Sequence, residues 1–207
     1  MQSLYSFNLD YLYFKLKLLR LDTLNRMKHQ FKLEEQDYHT HLLFTVSRSS
    51  SAIKMRNRVR YLISISMLIF SIIAFGNGSV GQGLYFIFLM LISFTLMPLY
   101  TRWSYKKTYL KHVRKYYKER ISEPTSVEIT TNHLIVKDSQ GESLIPFSDL
   151  DTINELKEYI FLKLENGTSI IFPIEKIAKK SQLIEELKKL SEKENISWVD
   201  ETNWVWK

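Results

Sequence analysis

No cysteine occurs among the 207 residues, which excludes disulfides, thiolate-held metal and a cysteine nucleophile. A second absence is larger. From Tyr61 to Thr101 there is no Asp, Glu, Lys, Arg or His, a neutral run of 41 residues. Acids are missing from the preceding flank as well, where Arg48, Lys54, Arg56, Arg58 and Arg60 stand alone. In the following flank Glu119 is the single acid among Arg102, Lys106, Lys107, Lys111, Arg114, Lys115, Lys118 and Arg120. The neutral run rules out a solvated surface segment, and bracketing by cations argues against a buried helical pair in a soluble core. A signal peptide fits worse, because about sixty residues precede the run.

What the run contains is YLISISMLIFSIIAF, then GNGSVGQG, then LYFIFLMLISFTLMPLYT. Gly76, Gly78, Gly81 and Gly83 are costly in a helix and Asn77 favours a turn. The sequence therefore predicts a hairpin over residues 59–100 with its turn at 76–83. The crossings are Val59–Phe75 and Leu84–Tyr100, each about 25 Å long at 1.5 Å per residue. Lys and Arg mark the cytoplasmic side, so both flanks and both termini are expected there. Arg56, Arg58, Arg60, Arg102, Trp103, Lys106, Lys107 and Lys111 are the expected membrane-interface residues. Tyr61, Tyr85, Tyr100 and Tyr105 stand where interfacial rings are favoured.

Charge location narrows the partners. The net +7 divides into +5 for residues 48–60, +7 for 102–120, +1 for 1–47 and −6 for 121–207. The excess lies beside the hairpin, so its partners are expected to be anionic lipid headgroups and not nucleic acid.

Residues 1–26 mix leucine, tyrosine and lysine without a clean period, and Met27 would make a natural start. Two readings stay open, an extension that is not translated or an interfacial helix. Residues 27–58 read as a short strand at His29–Leu33, then a helix carrying Tyr38, Leu42, Leu43 and Val46, packed on the cytoplasmic domain or lying along the bilayer. Ser47 and Ser49–Ser51 are expected to loosen the chain. Residues 101–120 read as a basic helix, entered past a kink at Pro98 and ended by Pro124.

From residue 121 onward helical spacing gives way to alternation. Strands are expected at 126–130, 134–137, 142–146, 152–156, 159–164 and 168–173, five to six in a small curled antiparallel sheet. Thr168–Phe172 is a candidate edge for docking a peptide strand. A helix capped by Ser181, with Leu183, Ile184, Leu187 and Leu190 on one face, would cover the sheet. Trp198, Trp204 and Trp206 in the tail dock on this domain or return to the headgroup region.

This order of parts, with KLEEQDYHTHLLF, a basic lead-in to a short hairpin, the corner Phe147-Ser148-Asp149-Leu150 and the strand end Ile170-Ile171-Phe172-Pro173, resembles the YcxB-like family of small bacterial membrane proteins over about Gln30 to Leu190. Phe147 stands where that corner usually carries tryptophan. The resemblance implies an α+β membrane protein of the cytoplasmic (inner) membrane, whose β domain is pleckstrin-homology-like (PH-like) and capped by its C-terminal helix. It supplies no catalytic residues and no cofactor.

Catalytic constellations are not apparent. His39 and His41 are two apart and face different ways on a helix, whereas helical metal pairs use three or four. Asp149 and Asp151 have no nucleophile beside them, and the glycines at 76–83 lack the context of a phosphate loop. Lys179-Lys180 and Lys188-Lys189 read as a solvated face. The expectation is a membrane-anchored binding or regulatory protein and not an enzyme. The alternative is a membrane-bound enzyme acting on a lipid or envelope substrate, with Asp149, Asp151, His112 and His133 as its available groups. Sequencing the native amino terminus checks the reading of residues 1–26; a peptide covering Leu9–Leu19 would end the untranslated alternative.

Overall fold

The computed structural model describes residues 27–206, so the expectations for residues 1–26 lie outside the described residues. The described chain forms two compact units. One comprises residues 27–34 and 119–204, the other residues 35–118 and the tail from Val205.

The helical unit contains α1 (Glu35–Arg48), α2 (Ser50–Gly76) and α3 (Val80–Tyr116). At 1.5 Å per residue α2 is about 40 Å long and α3 about 55 Å. Both are long and apolar enough to cross a membrane, and only 17% and 6% of their most apolar windows are buried. Uncharged backbone in such helices satisfies its own hydrogen bonds, which any apolar surroundings require.

The serines expected to loosen the chain make a break of one residue. Ser49 caps α2, its Oγ accepting from the Ala52 N–H at 3.3 Å. The turn between α2 and α3 is also tighter than the glycine spacing predicts. It spans only residues 77–79, with Gly78 at φ +73°, and Gly81 and Gly83 are helical. Packing explains Gly83, since a Cβ there would lie 2.6 Å from the Phe75 ring. Ser71, buried on α2, donates to the Gly83 carbonyl at 3.0 Å, tying the helices together.

Pro98 lies inside α3, which runs on to Tyr116 and stops short of the expected Arg120. Pro124 does not end that helix; it opens the next strand. Helix α1 packs along the far part of α3, where the Tyr38 and Tyr117 rings sit 4.6 Å apart. His39 Nε2 lies 3.0 Å from the Lys106 carbonyl, and Glu35 takes a forked pair from Arg114 at 2.9–3.0 Å.

The β unit holds two four-stranded sheets. In the first, β1 (Met27–Lys32), β2 (Pro124–Ile129), β3 (His133–Asp138) and β4 (Gly141–Pro146) are antiparallel in chain order. In the second, β7 (Ser169–Pro173), β6 (Tyr159–Leu164) and β5 (Leu150–Glu155) are antiparallel, and β8 (Ser197–Asp200) joins parallel to β5. Phe147–Asp149 forms a 3-10 turn between the sheets.

Helix α4 (Lys180–Glu194) presents Leu183, Leu187 and Leu190 to the interior, shared with Val127, Leu134, Ile153, Ile160 and Phe172. Its first turn is preceded by Lys179 with no side-chain cap, so the expected cap at Ser181 is not used. Phe31 and Phe172 bring the two sheets together, with ring centroids 5.8 Å apart.

The structure divides the chain differently from the sequence expectation of one sheet within residues 121–207. Strand β1 comes from before the helices and pairs with β2 over its whole length, while β8 comes from the tail. Pairing between strands so far apart leaves no trace in a local pattern. Where the chain leaves and re-enters this unit, the Ser122 N–H donates to the Leu33 carbonyl at 2.8 Å. Strand β7 is indeed an edge, but its residues Ile170–Pro173 are buried. Strand β4 is the edge whose side chains face outward, Leu144 among them.

Leu187 is fully buried in α4. Leu187→Ala should destabilise the β unit by about 2–5 kcal/mol, read as an earlier unfolding midpoint in urea.

Candidate membrane-interface site

Arg60 and Arg102 are the first cations outside the neutral run on the two antiparallel helices, Arg60 immediately preceding Tyr61 and Arg102 immediately following Thr101. Arg56 and Arg60, one helical turn apart, share a face of α2. With Asn57 of α2 and Met97, Pro98, Thr101 and Arg102 of α3 they line a cleft of about 240 Å³. Pro98 has no N–H, so the Phe94 carbonyl one turn earlier lacks its usual helical donor beside this cleft.

Aromatic faces hold the cations. The Arg60 guanidinium lies 3.6 Å from the Phe94 ring centroid, and Arg56 lies 5.7 Å from Tyr105 and 5.8 Å from Trp206. Trp206 belongs to the tail, and its Nε1–H donates to the Arg102 carbonyl at 3.4 Å. This places one of the three tail tryptophans on the helical unit. Trp198, by contrast, sits on β8 and donates to Glu155 at 3.0 Å.

Arg60 Nε is buried with no hydrogen-bond partner among the described residues. Leaving such a donor unpaired costs about 1–3 kcal/mol, so the position is held against a gradient. No residue from Tyr38 to Lys118 is acidic. Among the described residues no ion pair involves Arg56, Arg60 or Arg102. At the basic end of α3 Glu35 engages Arg114, and that hydrogen bond holds the Glu35 carboxyl below its usual range.

Of the eight expected interface residues, three therefore converge on the cleft: Arg56, Arg60 and Arg102. Arg58 is exposed on another face of α2. Trp103 is exposed with Lys107 Nζ 4.8 Å from its ring. Lys106 and Lys111 are exposed further along α3, beyond the cleft. Asn57 and Thr101 are not among the expected interface residues, and the sequence leaves Trp206 between docking on the β domain and returning to the headgroup region. The sequence holds no signal that joins Asn57 and Thr101 to the cleft, because the register between α2 and α3 decides it, and none that chooses between the two readings of Trp206.

The groups available to an enzyme are dispersed. Asp151 pairs with Lys163, whose hydrogen bond lowers the Asp151 carboxyl, and Asp149 accepts from Ser148 at 3.2 Å. The His112 ring lies against Tyr116 at 4.5 Å. In the β unit buried His29 reaches Glu186 at 3.2 Å, near a cleft of about 380 Å³ lined by Lys28, His29, Lys179 and their neighbours. Among the described residues no three His, Asp or Glu side chains are grouped to hold a metal.

Residues 129–191 match the family model described as YcxB-like protein. The match runs from the end of β2 into α4 and contains both the Phe147–Leu150 corner and the Ile170–Pro173 strand end. No curated protein matches the chain.

On α1, burial pushes the half-buried His41 down from an ordinary 6.5 to about 4. The unfolded chain then takes up the proton first, so the His41 contribution is flat above pH 6.5 and is lost as pH falls toward 4. Thermal unfolding of the parent should lose ground to His41→Gln across that window; parallel pH profiles would contradict it.

Proposed function

We propose that this chain is a membrane-anchored binding or regulatory protein whose α2–α3 hairpin crosses the cytoplasmic membrane twice, with both termini in the cytosol. The observation that carries the reading is the pairing of outward-facing apolar side chains with cations confined to one end. Leu62, Ile72, Phe88 and Leu91 are each more than half exposed, while the 77–79 turn has no charge at all. Cations near both open ends and none at the closed end are what cytoplasmic retention of Lys and Arg favours. Exposed Arg58, Trp103, Lys106, Lys107 and Lys111 then form a collar against anionic headgroups.

The β unit is the binding part in this proposal, a PH-like module tethered at the cytoplasmic leaflet. Two four-stranded sheets, antiparallel except for the β5–β8 pair, with α4 packed on them support that likeness, as does the family match over the central strands. The exposed edge strand β4 offers unpaired backbone groups on which a partner strand can add. A binding role is favoured over a catalytic one because the acids and histidines are engaged in separate pairs.

Fusions to alkaline phosphatase and to green fluorescent protein at each terminus and within the 77–79 turn test the topology. Fluorescence is expected at both termini and phosphatase activity only at the turn. Phosphatase activity at either terminus, or release of the chain into the aqueous fraction by carbonate, would overturn it.

A further inference from the structure

We infer that the cleft between Arg56, Arg60 and Arg102 is a site for the phosphate of one anionic phospholipid, distinct from general attraction by the collar. The inference rests on the membrane reading above and deepens it. Three arginines from two helices line one cleft, and two of them, Arg60 and Arg102, are the first charged residues beyond the neutral run, the region where lipid phosphates lie in that reading. Guanidinium forks match phosphate oxygens in both geometry and charge.

The donors can be assigned. Thr101 spends its hydroxyl proton on the Pro98 carbonyl at 2.9 Å, so it is not a donor to the ligand. Arg56, Arg60, Arg102 and the Asn57 amide remain. The rings of Phe94 and Tyr105 lie against Arg60 and Arg56, at 3.6 and 5.7 Å, which leaves less side-chain freedom to lose on binding. Met97 and Pro98 give the cleft an apolar wall on the side of the neutral run. Its volume of about 240 Å³ is below the roughly 300–1,000 Å³ of most small-molecule pockets and suits one headgroup.

No acid between Tyr38 and Lys118 is available to neutralise these arginines from within their own segment. Three guanidiniums gathered without an internal counter-ion repel one another, and an external phosphate removes that repulsion. Arg60, which lines this cleft, has a buried Nε with no acceptor among the described residues.

The test uses the full chain, reconstituted in vesicles of phosphatidylglycerol and phosphatidylcholine, extracted in a maltoside and examined by native mass spectrometry. One phosphatidylglycerol per chain is expected to persist, and excess inorganic phosphate should not displace it. Arg60→Gln/Arg102→Gln should lower its retention by about tenfold or more, whereas Lys115→Gln/Lys118→Gln, an equal loss of charge at and just past the end of α3, should not. Asn57→Asp is the second variant. It removes no packing, because Asn57 is exposed, and it sets a carboxylate beside the guanidiniums, so it too should release the lipid.

Equal loss in the two glutamine pairs, retention in Asn57→Asp, or displacement by inorganic phosphate would overturn the site. If the protein resists carbonate extraction in those cases, the membrane reading survives without it. A chain recovered in the aqueous fraction removes both.

Discussion

Apolar side chains turned outward along two helices govern the account. Each Leu, Ile or Phe kept in water and not buried forgoes about 1.5–3 kcal/mol. Native stability is itself only about 5–15 kcal/mol, so a handful of such side chains is decisive. Leu62, Ile65, Ile72, Phe88, Leu91 and Leu96 all face outward from α2 and α3. Surroundings other than water must cover them, and the proposal takes those surroundings to be lipid. The hairpin is then held internally by small contacts, with Gly83 against Phe75 and Ser71 on the Gly83 carbonyl. Close approach through small residues is how helices associate where apolar burial between them gains nothing.

At the open end of the hairpin the chemistry changes within one helical turn. Cations appear, acids do not, and aromatic rings take the place of carboxylates as their neighbours. Phe94 faces Arg60, Tyr105 and Trp206 face Arg56, and Trp103 faces Lys107. Rings orient a cation without neutralising it, so its charge stays available to an external anion. Glu35 on Arg114 is the contrasting case, a forked pair placed beyond the cleft where α1 packs on α3. Most acids lie elsewhere, residues 121–207 carrying a −6 balance.

The helices were legible because their signal is local. A neutral run, flanking cations and glycines around Asn77 suffice to predict a hairpin. The width of the turn was not legible, since Gly81 and Gly83 look like loop residues until Phe75 is seen beside one of them. Strands β2 to β7 announced themselves by alternation. Strand β1 was also legible, as the strand expected at His29–Leu33, but its pairing with β2 across the helices was not, and β8, which pairs with β5, was not expected at all. The cleft was half visible. Arg56, Arg60 and Arg102 were named as interface residues, but their convergence depends on the register between α2 and α3, which composition does not encode.

The surroundings of α2 and α3 can be read directly, and the lack of native cysteine makes this clean. Single cysteines at Ile72, Phe88 and Leu91 would carry a nitroxide label in the full chain reconstituted in phosphatidylglycerol and phosphatidylcholine bilayers. Power saturation then compares collisions with oxygen, which partitions into lipid, and with a water-soluble nickel chelate. The account predicts high oxygen and low nickel accessibility at all three positions. High nickel accessibility, or protection from both reagents as in a protein interior, would contradict it.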